Sequence, residues 1–440
     1  MKLAKYPFTQ ELFKKTFSSY YCRRLLHGFI DRRHTLREEL SSTYEFTTMA
    51  TPAGLAGVRS IVAVSSCKGG VGKSMVAVNL AFSLAKRLGA TSSGEARVGI
   101  FDADLYGPSL PTMVGLPPEQ TVLRESANGK GMIEAPETNG VKLMSYGYVQ
   151  TQKGASKAAV MRGPRASAMI NNLVNQTDWG SLDVLVVDMP PGTGDIPLTL
   201  CQSLSLTAAV VVTTPSQLAI VDVVKGIEMF DGLRVPVAAL VENMAYFDAP
   251  KEDSDDSESE PKRYYPFGRG HIEKLIDERD IQNSVYSLPM HPTICEAADA
   301  GMPAVLSALA SVHAEPVFAK LANEVVDRFV AEKSGEGGAS SDVAPKVHYD
   351  QRRGIVMRYL MGQRAGTEYV IDPATLRRAS RDALSIDEMS GEQLLKHDDV
   401  MDDITPLRMT PQGNYGIAIK WDDGHDSGIY SYDMMEKLAE

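Results

Sequence analysis

Cysteine is scarce in this chain: four residues in 440, at Cys22, Cys67, Cys201 and Cys295, with no regular spacing. So few thiols build no disulfide framework, and the composition suits a reducing compartment. Long hydrophobic runs are missing as well. No apolar stretch reaches the roughly 18 residues of a membrane-crossing helix, so no membrane span is expected. Basic charge is not in excess either. A net charge of −11 argues against a broad nucleic-acid-binding face. There is no internal repeat. What remains is 43% hydrophobic residues, enough for one large α/β core and a smaller second one.

The most informative segment is Lys68-Gly69-Gly70-Val71-Gly72-Lys73-Ser74-Met75, which follows an apolar strand pattern at 61–64 and opens a helical one. Glycines here let the backbone wrap an anion, and the helix N-terminus directs N–H groups at it. Lys73 adds a cation and Ser74 a hydroxyl for Mg²⁺. A nucleoside triphosphate with Mg²⁺ is the ligand pair this predicts. Two carboxylate motifs follow at predicted strand ends, Asp102-Ala103-Asp104 and Asp188-Met189-Pro190-Pro191-Gly192-Thr193-Gly194-Asp195. Carboxylates at the C-terminal ends of parallel strands converge on the crevice where phosphates lie. A lone strand-end Asp commonly serves a turn, but three sites in this chain order exceed what capping explains. A further apolar strand at 236–241 runs into Glu242-Asn243-Met244.

Lys68 and Lys73 together resemble the deviant phosphate loop of the MinD/ParA ATPases. That resemblance implies a homodimer in which Lys68 reaches the partner's nucleotide, Asp104 positions the attacking water, Ser74, Asp104 and Asp188 serve Mg²⁺, and Asn243 reads the adenine. Residues 69–75 would cradle the phosphates. Phe101 to Pro111, Met161-Arg162-Gly163-Pro164, Leu288-Pro289-Met290-His291-Pro292 and Glu296 to Gly301 narrow the likeness to the Mrp/Nbp35 ATPases, carriers of iron–sulfur clusters, over about 57–330. Ser65-Ser66-Cys67 and Arg263-Tyr264-Tyr265-Pro266-Phe267-Gly268 are most similar to the plastid, high-chlorophyll-fluorescence type. The family implies a [4Fe–4S] cluster, apo iron–sulfur proteins as recipients and other assembly factors as partners.

The usual cluster ligands are a Cys-x-x-Cys after the adenine strand, and here that place holds Ala249-Pro250-Lys251-Glu252. The plastid type has a cysteine where this chain has Ala245. Thiolates hold such clusters, so the ligands are unassigned. Cys22, Cys201 and Cys295 read as small buried apolar residues. Cys67 neighbours Lys68 and a helix N-terminus, which predicts a lowered thiol pKa, although a small residue at a glycine position explains it more simply. The acidic run at 251–260 reads as a solvated loop.

The expected organisation is an N-terminal extension at 1–56, an ATPase domain at 57–331, a Gly/Ser-rich linker at 332–345 and a small unit at 346–440. The alternation from Gly416 into Asp423-Gly424 marks a hairpin. This unit resembles the N-terminal domain of γ-butyrobetaine hydroxylases, where three cysteines and a histidine hold zinc. Ser380, Asp382 and Ser385 occupy the cysteine places and His425 the histidine place, which predicts a metal-free interaction domain. In the extension, Lys2, Lys5, Lys14, Lys15, Arg23 and Arg24 face only Glu11 over thirty residues, the composition of a plastid or mitochondrial transit peptide; a start at Met49 would instead mean the cytosol.

The predicted fold is thus a doubly wound, mostly parallel α/β P-loop domain followed by a small β-rich (α+β) domain. The predicted function is slow ATP hydrolysis in iron–sulfur assembly. Two rivals remain: an ATP-switched adaptor that holds no cluster, and a positioning ATPase of the ParA/MinD kind, which the acidic balance disfavours.

Overall fold

The computed structural model describes residues 53–89, 95–127, 131–152, 163–249, 262–279, 284–330, 344–360, 364–380, 385, 395–426 and 428–439. All of them lie in one compact unit, Thr48–Glu440. The transit-peptide reading, the whole acidic run, nearly all of the linker, and Asp382 fall outside the described residues.

In chain order the first region contains β1 (Val58–Ser65), α1 (Lys73–Leu88), β2 (Val98–Asp102), β3 (Glu137–Thr138), β4 (Val141–Ser145), α2 (Gly163–Gln176), β5 (Leu182–Asp188), α3 (Asp195–Ser203), β6 (Ala208–Thr213), α4 (Gln217–Gly232) and β7 (Val237–Glu242). It continues with β8 (Phe247–Asp248), β9 (Arg263–Tyr264), β10 (Ser284–Ser287), α5 (Pro292–Asp299) and α6 (Ser311–Val325). Eight strands form one sheet in the order β10-β7-β6-β1-β5-β2-β4-β3. Only the β3–β4 edge pair is antiparallel in it. The central strands are mostly apolar because both faces are covered. Val62, Val64, Ile100, Val184 and Val210 pack beneath α1 and α6, while Ala63, Phe101, Leu185, Val187 and Val211 pack beneath α2, α3 and α4. β1 lies between β5 and β6, so its C-terminal end, and the loop it feeds, sits at the middle of the sheet edge.

The second region contains β11 (Lys346–Asp350), β12 (Gly354–Arg358), β13 (Glu368–Ile371), α7 (Pro373–Arg378), β14 (Pro406–Gln412), β15 (Gly416–Trp421), β16 (Ile429–Ser431) and α8 (Tyr432–Ala439). Its two three-stranded antiparallel sheets enclose a separate core around Trp421, Tyr430, Tyr359 and Met435. The predicted hairpin is β15–β16, with Gly424 at φ 91° in its turn.

This region is docked on the first, which the sequence did not announce. Gly413, at φ 52° in the β14–β15 turn, sits so close to the end of α3 that a Cβ there would lie 3.0 Å from the carbonyl oxygens of Cys201 and Gln202. Asn414 Nδ2 donates to Leu206 O at 2.7 Å. Arg234, just after α4, donates to Tyr359 Oη at 3.0 Å and pairs with Asp433.

Candidate functional site

The turn from β1 into α1 needs left-handed backbone at Gly70 (φ 80°) and at Gly72 (φ 84°), the N-cap of α1. A side chain is strained at either position, and at Gly72 a Cβ would also fall 2.2 Å from Asn243 Nδ2. The N–H groups of a helix's first turn have no partners within the helix, so they are available to a phosphate. Val71 is buried beneath the loop, and Met75 packs against the core below it. Lys68, Gly69 and Gly70 are exposed. Ser66 Oγ donates to Lys68 O at 3.0 Å, and Gly192 N donates to Ser66 O at 2.8 Å, tying the segment after Asp188 to the loop.

Lys73 forms an ion pair with Asp188, with side chains only 7% and 3% exposed, and its Nζ lies 3.3 Å from Ser74 Oγ. Burial raises the Asp188 carboxyl's pKa, and Lys73 opposes the shift. Such a pair holds while both partners remain; removal of one strands a buried charge. Asp104 is partly exposed on the loop after β2 and accepts from Tyr106 N (3.3 Å) and Gly107 N (3.2 Å). Hydroxyl and carboxylate oxygens of Ser74, Asp188 and Asp104 are hard donors of the kind Mg²⁺ takes, so this set fits that ion. Asn243 is buried, and its Nδ2 donates to Val71 O at 2.9 Å. In this conformation it braces the phosphate loop from below.

One residue that sequence reasoning left without a role stands at the centre. Asp102, 1% exposed, sits opposite Asp188 in the β2–β5 register. Its Oδ1 accepts from Asp104 N (3.1 Å), and its Oδ2 from Ser109 N (3.1 Å), Leu110 N (3.2 Å) and Ser145 Oγ (3.1 Å). Burial, then the nearby Asp188 charge, push its pKa up to about 7, against the backbone donors. The available signal was its place: the last residue of a buried strand, two before Asp104.

The cysteine expectations need correction. Burial pushes the Cys67 thiol up to about 11, the reverse of the predicted lowering. Its Sγ lies against α4, where a Cβ on Gly226 would come within 2.4 Å of it. Cys201 is buried as expected, its pKa raised to about 12 by desolvation, but Cys295 is exposed on α5. Among the described residues, no three His, Cys, Asp or Glu side chains are grouped to hold a metal. Ala245 is buried and donates its N–H to Leu288 O at 2.8 Å. Ala249 continues the β8–β9 ladder, donating to Lys262 O at 3.0 Å. In the second region Ser380 Oγ approaches His425 Nε2 at 3.5 Å, with Ser380 and Ser385 both buried. The structure therefore brings two of the four zinc-place residues, Ser380 and His425, side by side.

Comparison with known proteins now decides the family. Residues 57–326 match the family described as ParA, NUBPL iron-transfer P-loop NTPase. The chain belongs to the NUBPL-type iron-transfer P-loop NTPases. Residues 362–436 match the γ-butyrobetaine hydroxylase-like N-terminal family. Over 392 residues this NTPase is 45% identical to the chloroplastic Fe-S cluster assembly factor HCF101 of Arabidopsis thaliana, covering 88% of the chain and 66% of that protein. The rice protein of the same name gives 44% identity and the same coverage, so the chain spans just under two thirds of these relatives' length. The iron-sulfur cluster carrier protein of Escherichia coli K12 is 42% identical over 285 residues, 64% of this chain and 69% of that one. Among solved structures, a nucleotide-binding protein from Archaeoglobus fulgidus in complex with ADP is 32% identical, over 59% of this chain and 93% of that one, at a TM-score of 0.47. No described helix is long and apolar enough to cross a membrane.

Proposed function

We propose that this NTPase binds ATP with Mg²⁺, hydrolyses it slowly as a homodimer, and serves the assembly or delivery of iron–sulfur clusters. The observation that carries the reading is the buried Lys73–Asp188 pair beside Ser74 at the start of α1, with Asp104 on the adjacent strand end. Lys73 exchanges its carboxylate partner for the β- and γ-phosphate oxygens, and the loop N–H groups hold the remaining phosphate charge. Ser74, Asp104 and Asp188 would hold Mg²⁺, which would neutralise the charge that develops on the phosphates. Asp104 orients water toward the γ-phosphorus, whose bond to the ADP oxygen breaks. Exposed Lys68 reaches the partner's nucleotide, and Asn243 reads the base once it leaves Val71. A nucleotide-binding titration of the parent and of Asp104→Asn tests this: both should bind ATP, and only the parent should turn it over. Failure of the parent to bind ATP would overturn the reading.

The cluster is cargo in this proposal, received and passed on to apo-proteins in a plastid, a mitochondrion or the cytosol. A second reading is favoured by Ala245 and Ala249, which offer no thiolate beside β8: an ATP-switched adaptor that never holds the cluster. Anaerobic reconstitution with iron and sulfide separates the two. The adaptor reading expects a substoichiometric, labile cluster on the parent and a stable one on Ala249→Cys/Glu252→Cys. One stable cluster per parent dimer would exclude it.

A further inference from the structure

The carboxylate of Asp102 is used entirely within the protein. Three backbone or side-chain donors meet on Oδ2 and one on Oδ1, and they come from three places: the Asp104 peptide, the Ser109–Leu110 turn and Ser145 at the end of β4. Ala103 N donates to Asp188 O at 2.9 Å, so the same few residues are also fixed to β5. The loop from 103 to 110 is thereby fastened at both ends, and Asp104 is the carboxylate it presents toward the phosphate crevice. Ser145 Oγ in turn accepts from Gly147 N at 3.1 Å, which holds the hydroxyl aimed at Asp102.

We propose that Asp102 is a positioning residue for ATP hydrolysis: it touches neither nucleotide nor water, and it sets the place of the Asp104 carboxylate by clamping both ends of the 103–110 loop. The inference rests on the ATPase reading above. A carboxylate is required by the geometry, because an acceptor is needed on both oxygens at once. Asparagine satisfies at most one side, and its amide nitrogen then opposes either Asp104 N or the three donors at Oδ2.

The test is a double-mutant cycle between Asp102→Asn and Asp104→Asn, read by ATP binding and by single-turnover hydrolysis. Asp102→Asn should bind ATP within about threefold of the parent yet hydrolyse it on the order of 30-fold or more slowly, a fraction of what loss of a positioned catalytic group costs. The double variant should be no slower than Asp104→Asn alone, because a misplaced side chain that is already inactive has nothing further to lose. A residue that merely supported the fold would lower binding and hydrolysis together. Hydrolysis by Asp102→Asn within threefold of the parent overturns the proposal, and so does a double variant slowed by the product of the single effects. Should Asp102→Asn fail to fold, Ser145→Ala removes one donor from Oδ2 and should slow hydrolysis roughly threefold to tenfold at unchanged affinity, again without adding to Asp104→Asn. Unchanged hydrolysis or additivity in that variant overturns the proposal equally. A parent that binds no ATP overturns the underlying site reading instead, and the binding arm shows this before any variant is compared.

Discussion

The phosphate loop and the Ser380–His425 pair invite comparison, because each lies where a sequence family places a ligand. At the loop, the residues around the crevice retain charge: Lys73 and Asp188 are buried together, with no apolar substitute for either. At Ser380 and His425 a hydroxyl and an imidazole nitrogen stand 3.5 Å apart beside Tyr430, whose Oη accepts from Trp421 Nε1 at 2.9 Å. Burial of charge costs folding energy and persists where a ligand will answer it; a neutral hydroxyl in a core has no such requirement. The first place keeps a buried charge pair, whereas the described residues of the second bring a hydroxyl and an imidazole nitrogen 3.5 Å apart.

The comparison breaks most visibly at Lys73. Lys73→Ala should lower ATP affinity by on the order of 100-fold or more and, by leaving Asp188 buried without its cation, destabilise the fold by roughly 3 kcal/mol. Titration calorimetry and denaturant unfolding check the two parts. Undiminished ATP affinity would put the loop in the same category as Ser380. Next in size is ligand linkage. Mg²⁺-ATP at 100 times its dissociation constant should stabilise Asp104→Asn by about 2.7 kcal/mol, whereas dialysis of the full chain against a zinc chelator should not move the melting temperature. A drop in melting temperature after chelation, reversed by zinc, would restore the metal reading of the second region.

Lys68→Ala sharpens the contrast from the other side, since this exposed lysine contributes nothing to the core. Nucleotide should still bind, but ATP-dependent dimerisation should weaken by about tenfold or more, as loss of a charge-assisted phosphate contact implies. Light scattering with a non-hydrolysable analogue reads this out, and dimers of undiminished affinity would remove the role in trans.

Gly428→Ala probes the packed site. Its Cβ would meet Ser380 Oγ and Tyr430 Oη at 3.0 Å and His425 Nε2 at 3.1 Å, an overpacking expected to cost about 1–3 kcal/mol in denaturant unfolding. A neutral result would mean the pair is loose enough to admit a ligand.

The smallest effect lies away from both places, at the stacked rings of His291 and His313, 3.7 Å apart between α5 and α6. Burial and the His313 charge lower the His291 pKa below the usual 6.5. The unfolded chain therefore binds the proton more readily, so stability should be full above about pH 6.5 and decline as pH falls through the folded value. His313→Ala should flatten that decline between pH 7.5 and 5.5.

Much of the first region was legible because its signals are local. A strand, a glycine-rich turn and a helix follow one another within 31 residues of the chain, from Val58 to Leu88, and the spacing alone carries the geometry. The buried run Leu182–Asp188 reads the same way. Long-range facts were not legible. Lys68 follows Cys67 in sequence, which predicts a lowered thiol pKa, yet the thiol lies against Gly226 on α4 and its burial raises the pKa, although a backbone hydrogen bond from Gly226 opposes the rise. Asp102 was left without a role because one of its donors, Ser145, becomes a neighbour only once β2 and β4 pair. Nothing local in Gly413-Asn414-Tyr415 points to α3, which it meets across the fold.

That turn carries a consequence for how the protein is made. Asn414 follows its acceptor, Leu206, by 208 positions. At cellular synthesis rates of about 5–20 residues per second, the carbonyls at the end of α3 emerge from the ribosome roughly 10–40 seconds before the turn that will cover them. Through that interval the sheet of the first region can complete itself while the end of α3 remains wet, and the last hundred residues arrive to close a seam on a domain already standing.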